Sequence, residues 1–208
     1  MGQFFRIHPK DPQLRLIAQA VAVARAGGLI AYPTDSCYAL GCHMGNKMAM
    51  ERIRRIRQIE PRKHFTLLCR DLAEIASYAR VDNAAYRLLR SLTPGPYTFV
   101  LKATREVPRR LQDPRRKTVG IRIPDHIIAQ ALVRTLGEPL MSSTLIPPGA
   151  DLPMTDPETI YECLGTQIEL VIDGGPGGME PTTVIDLTGD LPRLLRRGLG
   201  DAAGIVFE

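Results

Sequence analysis

The chain has 208 residues, 44% of them hydrophobic and 24% charged, and 27 basic against 22 acidic side chains give it a net charge of +5. That length buries a sizeable core, and that composition excludes wholesale disorder; no segment approaches the ~18 apolar residues of a membrane span. The positive balance favours anionic partners.

In chain order, 14–26 (LRLIAQAVAVARA) has apolar positions at helical spacing, and Gly27-Gly28 stop it. LIAY at 29–32 reads as a buried strand ended by Pro33, and 33–42 (PTDSCYALGC) as the loop that follows it. Residues 46–58 read as an amphipathic helix with Asn46 as N-cap. FTLLC at 65–69 is a strand, and Asp71 and Asp82 begin two further helices. PGP at 94–96 precedes the strand YTFVLKA, and VGIRI at 119–123 is a strand closed by Pro124. A helix over 126–137 ends at Gly137, and PLMSSTLI is a strand. A short helix near 157–164 precedes strands at 168–173, 182–188 and 193–197. Strands alternating with helices argue an α/β sandwich. The last three strands have only loops between them, so they are expected to pair partly antiparallel in a mixed sheet.

The N-terminal MGQFFRIHPKDPQ lacks the apolar run of a secretory signal, and Arg6 stands where a myristoylation signal needs Ser or Thr. Four cysteines, Cys37, Cys42, Cys69 and Cys163, show no paired spacing, which is read as free thiols in a reducing, cytoplasmic compartment. Cys37, Cys42 and His43 lack a second ligand pair, so no metal site is expected.

Chemistry gathers in a few segments. PTDSCYALGC follows a buried strand, where α/β proteins place ligands, and offers the hydroxyls of Thr34, Ser36 and Tyr38; a plain turn over 34–36 is the alternative. RIRRIRQIEPRKHF at 52–65 carries Arg52, Arg54, Arg55, Arg57, Arg62 and Lys63, a cluster suited to phosphate or equally to a solvated helix face. Arg109, Arg110, Arg115, Arg116 and Lys117 form a second basic stretch, expected on an exposed loop that could reach RNA. Arg122 sits inside an apolar strand and needs a partner there, either a structural carboxylate or a ligand's. MSSTLIPPG runs a strand into three hydroxyls, and the glycines of IDGGPGGMEPTTVIDL lack the GK[ST] ending of a P-loop. Anion-binding donors are many and general bases few. That balance suits chemistry driven by positioning and charge stabilisation, such as attack on a nucleotide phosphate.

PTDSCYALGC, PGPYTFVLK, KTVGIRIP and PTTVIDL, in this order and spacing, resemble the YrdC/YciO family from about residue 10 to residue 200. FTLLCRDL, KTVGIRIP and SSTL in place of SAN look more like its YciO branch. The resemblance implies a single YrdC-like domain over 1–208. It implies a twisted mixed sheet with helices packed on it and a concave, positively charged cleft. It also implies synthesis of threonylcarbamoyl-AMP from threonine, bicarbonate and ATP in a tRNA modification pathway, and affinity for double-stranded RNA. Carried over by motif, Thr34, Arg122 and Thr182 hold the amino acid, and Thr118, Ser142 and Arg196 the nucleotide. The chain departs from the YrdC branch where Arg57-Gln58-Ile59 replaces K-x-R, where Thr144 replaces the Asn of S-x-N, and where Leu68 replaces a His.

The expectation is therefore a nucleotide-binding protein with weakened or altered synthase-like activity. Thr34, Tyr38, Arg122 and Thr182 are assigned to the substrate. Arg57, Lys63, Thr118, Ser142, Thr144 and Arg196 are assigned to ATP or an AMP-like nucleotide, with Mg²⁺ arriving on the ATP. Arg52, Arg55, Arg109, Arg110, Arg115, Arg116 and Lys117 are assigned to duplex RNA or tRNA. The alternative is an RNA- or ribosome-binding module whose cleft is vestigial.

Overall fold

The computed structural model describes residues 1–59 and 65–208. Among the described residues, six α-helices and one short 3-10 helix (Arg109–Leu111) accompany one mixed sheet. The strands are β1 (Gln3–Arg6), β2 (Ile30–Tyr32), β3 (Ala39–His43), β4 (Thr66–Leu68), β5 (Ala79–Arg80), β6 (Tyr97–Ala103), β7 (Thr118–Arg122), β8 (Leu140–Thr144), β9 (Leu170–Asp173), β10 (Thr183–Asp186) and β11 (Arg193–Arg196). The helices are α1 (Leu14–Arg25), α2 (Lys47–Arg57), α3 (Leu72–Tyr78), α4 (Asn83–Leu92), α5 (Ile127–Leu136) and α6 (Pro157–Leu164). Among the described residues, no helix is long and apolar enough to cross a membrane.

Local chemistry sets the helix ends. The side chains of Asn46, Asp71, Asp82 and Asp156 accept from Ala49, Glu74, Ala85 and Thr159 backbone N–H groups, capping α2, α3, α4 and α6. Gly137 ends α5 at φ 77°, a left-handed conformation that glycine adopts without a Cβ penalty.

The sheet runs β1-β9-β2-β3-β8-β4-β7-β6-β10-β11, with β5 on the side of β6. β10 pairs antiparallel with β11 but parallel with β6, and β9 pairs parallel with β1 and β2. The expected mixed sheet is thus present, but β9 and β10 lie far apart in it. Three strands escaped the sequence reading. β1 is a short edge strand, β5 is a two-residue strand directly after α3, and β3 takes in the last residues of PTDSCYALGC, which form a buried strand rather than a loop.

Strand alternation divides the core. Leu40, Leu67, Met141, Ile121, Phe99 and Ile185 point to one face, where they pack with Met50 and Ile53 of α2, Ile75 of α3, Leu89 of α4 and Ile160 of α6. Ile30, Tyr32, Leu140, Leu170 and Ile172 point to the other, under Ile17, Val21 and Ala24 of α1 and Ile128, Leu132 and Val133 of α5. Each such aliphatic side chain contributes roughly 1.5–3 kcal/mol of transfer free energy. α1 and α5 cover the β9-β2-β3 end of this second face, and Leu140 of β8 and Leu68 of β4 join the same cluster. Beyond that cluster, toward β11, the same face lines a cavity and its residues are chiefly Ser, Thr, Gly and Arg, with Val100 and Val184 among them.

Candidate functional site

The open part of the sheet is the floor of a cavity of about 270 Å³. Cross-strand register builds it: Thr66 lies between Ser142 and Gly120, Gly120 also pairs with Val100, and Leu68 pairs with Arg122. Thr98 lies opposite Val184, and Val184 opposite Arg196. Thr118, Thr144, Thr182, Ser36 and Cys37 complete the polar wall, while Ile59, Phe65 and Leu68 make an apolar one. Gly120 keeps the floor low, because a Cβ there would stand 3.3 Å from Thr66 Oγ1.

Among the described residues, three arginines reach the cavity, and their partners differ. Arg57, at the C-terminal end of α2, donates from Nη1 to Ser143 Oγ at 2.7 Å and from Nε to the Ile146 carbonyl at 3.2 Å. Arg196 donates from Nε and Nη2 to the Thr182 carbonyl at 3.1 and 2.8 Å, and from Nη2 to Thr182 Oγ1 at 3.1 Å. Thr182 Oγ1 in turn lies 2.9 Å from Thr98 Oγ1. Burial pushes both guanidinium groups below their ordinary pKa. Arg122 instead pairs with a carboxylate, Asp35 of the 33–38 segment, and only 6% of it is exposed. Burial raises the Cys37 thiol above its usual range, although Arg122 and Arg196 oppose the shift.

The sequence-assigned residues divide cleanly. Arg57, Thr118, Arg122, Ser142, Thr144, Thr182 and Arg196 all line the cavity. Lys63 and Arg62 lie outside the described residues. Thr34 stands behind the wall, where its Oγ1 donates to the Cys37 carbonyl at 2.6 Å and accepts from the Ser36 and Cys37 N–H groups, the turn foreseen as the alternative. Tyr38 is fully buried, and its hydroxyl donates to the Gly175 carbonyl at 2.7 Å. Cavity residues that the sequence reading did not single out include Phe65, Thr66 and Thr98, while Ser143 was noted only within the hydroxyl run of MSSTLIPPG. Thr98 was legible in the alternation of YTFVLKA, where Phe99 and Leu101 face the core. Among the described residues, no group of three or more His, Cys, Asp and Glu is placed to hold a metal.

The basic stretches are partly spent on the protein itself. Arg52 donates to the Gln167 carbonyl and Glu169, Arg110 to the Met44 and Gly45 carbonyls, and Arg116 to Asp186 and Thr188. Arg55, Arg109, Arg115 and Lys117 are exposed.

A family model named for Sua5, YciO and YrdC, and described as telomere recombination, matches residues 22–198. The chain belongs to the Sua5/YciO/YrdC family. It is 56% identical over 201 residues to YciO of Escherichia coli K12, covering 97% of this chain and 98% of that one. The threonylcarbamoyl-AMP synthase of Nitrosococcus oceani is 33% identical over 159 residues, 76% of this chain and 85% of that one. The crystal structure of E. coli YciO superposes with a TM-score of 0.96 at 55% identity, covering 99% of this chain and 100% of that one. Sua5 of P. abyssi, in its complex with L-threonine, gives 0.84 at 27% identity over 94% of this chain and 57% of that one. The Sua5/YciO/YrdC fold is thus shared, and the cavity belongs to the part of the chain that the family model spans.

Proposed function

We propose that the cavity is a positively charged cleft that binds ATP beside an amino-acid carboxylate, and that the protein carries out threonylcarbamoyl-AMP synthase-like chemistry in weakened or altered form. One observation carries this reading. Arg57 is half-buried and Arg196 is exposed at the cavity rim, and their described partners are all uncharged. Cations partly withdrawn from water without a counter-charge favour an anionic ligand, and the guanidinium fork matches phosphate. Arg122 stands apart because Asp35 already balances it; it is read as the clamp for the substrate carboxylate, with Thr182 beside it. Ser142, Thr144 and Thr118 supply hydrogen bonds to the nucleotide. Mg²⁺ would be held by the triphosphate itself, since among the described residues the wall offers hydroxyls and guanidinium groups rather than carboxylates.

The threonine amine and bicarbonate condense to a carbamate with loss of water, and a carbamate oxygen then bonds to the α-phosphorus of ATP as the bond to pyrophosphate breaks. The protein's part is to position the reactants and stabilise the charge that builds on phosphorus. Synthase relatives near 30% identity and a threonine complex of P. abyssi Sua5 support the reading. Ile59 and Leu68 argue for reduced activity, because they bring an apolar surface to the cavity where the YrdC branch has Arg and His. The test is product analysis after incubation with threonine, bicarbonate, ATP and Mg²⁺. Threonylcarbamoyl-AMP and pyrophosphate are expected, more slowly than from a YrdC-branch synthase. No product from this chain, nor from an Ile59→Arg, Thr144→Asn variant, would overturn it in favour of an RNA-binding module, a reading favoured by the exposed Arg55, Arg109, Arg115 and Lys117.

A further inference from the structure

Asp35, Arg122 and His126 form a group that nucleotide binding leaves unexplained. Among the described residues, the buried side-chain polar atoms without a hydrogen-bond partner are Asp35 Oδ2, Arg122 Nε and His126 Nδ1. The fold brings them together: Arg122, the last residue of β7, donates from Nη2 to Asp35 Oδ1, and His126 follows Arg122 by four residues, half-buried just before α5, where it feels the charges of Asp35, Arg122 and its own neighbour Asp125. Unfilled donors and acceptors gathered in one buried place are costly unless a ligand or a proton completes them.

The charges indicate what is missing. Arg122 and Asp35 cancel. A ligand carboxylate arriving on Arg122 puts two carboxylates on one buried guanidinium, and like charges repel strongly where water is excluded. His126, on the short turn from β7 into α5, lies within electrostatic reach of that pair and can gain a positive charge. We propose that His126 is a positioning residue that takes up one proton when a carboxylate ligand binds Arg122, then donates Nδ1–H to Asp35 Oδ2. The proton comes from solvent, no covalent bond changes, and two of the three unfilled atoms become satisfied. This rests on the reading of Arg122 as a carboxylate clamp.

The sign is fixed by the neighbours. In the free protein burial holds the His126 pKa below the ordinary imidazole value; Asp35 and Asp125 raise it and Arg122 lowers it. A ligand carboxylate offsets the Arg122 charge and moves the midpoint up. Between the free and bound midpoints, threonine binding therefore tightens as pH falls, by at most about tenfold per pH unit for one proton.

The experiment is a histidine NMR titration of the full chain from about pH 5 to about pH 8, with and without saturating L-threonine. His126→Gln identifies the resonance, and L-threonine dissociation constants are measured across the same range for both proteins. The His126 midpoint should rise by about one pH unit with threonine. L-Threoninol, which lacks the carboxylate, should leave it in place. Affinity should depend on pH in the wild type and be flat in His126→Gln. Threonine binding with an unmoved His126, or with equal pH dependence in both proteins, overturns the proton coupling and leaves the clamp standing. Failure of threonine to bind at all removes the clamp, and the coupling with it.

Discussion

Arg196→Ala separates ligand binding from folding. Arg196 spends Nε and Nη2 on Thr182, at 2.8 to 3.1 Å, and Nη1 has no acceptor among the described residues. If Nη1 meets phosphate, its loss removes one charge-assisted hydrogen bond, worth about 1.5–3 kcal/mol, or about 10- to 150-fold in ATP affinity. The cost to folding is smaller. The Thr182 carbonyl loses its guanidinium but faces a cavity that admits water, so about 0.5–1.5 kcal/mol is at stake from a total near 5–15 kcal/mol. Calorimetric titration with ATP and Mg²⁺, beside a thermal melt of each protein, reads both effects. Arg196→Lys keeps the charge without the fork and should fall between wild type and Ala. An ATP dissociation constant unchanged in a folded Arg196→Ala protein would refute the assignment of this wall to phosphate.

Further outcomes follow from the same geometry. Ile59→Arg with Thr144→Asn should raise the rate of threonylcarbamoyl-AMP formation, measured as pyrophosphate release, and the two effects need not add if both side chains meet one phosphate. Asp186 is buried, which by itself raises its pKa, but hydrogen bonds from Arg116 and Thr188 win and hold it below the usual carboxylate value. That stabilisation is present above the unfolded carboxylate pKa and is lost as pH falls through the folded one. Arg116→Gln should therefore cost about 1 kcal/mol near neutrality, discounted for the exposure of Arg116, and should move the acid-unfolding midpoint to higher pH; an unchanged midpoint would show that the pair is idle. Duplex RNA binding, followed by salt titration, should lose slope in an Arg109→Ala, Arg115→Ala, Lys117→Ala variant while ATP affinity holds. Parallel slopes would free this loop of any RNA contact.

Much of the fold was legible because its signals are local. Asn46, Asp71, Asp82 and Gly137 end their helices through side-chain or backbone conformations set by one or two residues. β3 was hidden because Tyr38 to Cys42 are buried on both faces, which removes the alternation that marks a half-exposed strand. Strand order was also beyond local reading: β9 joins β1 and β2, while β10 joins β6, and no short-range signal encodes such pairings. The candidate site shows the same division. Arg122 announced itself as a charge in an apolar strand, and the need for a partner followed. That the partner is Asp35, 87 positions away, comes from the sheet placing β7 near the 33–38 segment. Thr34 and Tyr38 looked like ligand groups by their hydroxyls, but a turn and the Gly175 carbonyl already engage them.

The central claim is that Arg57 and Arg196 receive phosphate while Arg122 receives a carboxylate in the same cavity. A crystal structure of the protein grown with ATP, Mg²⁺ and L-threonine tests it directly. The account predicts phosphate oxygens within hydrogen-bond distance of Arg57 and Arg196, and the threonine carboxylate on Arg122 above the floor at Gly120. Nucleotide bound elsewhere on the chain, with this cavity filled only by water, would contradict it.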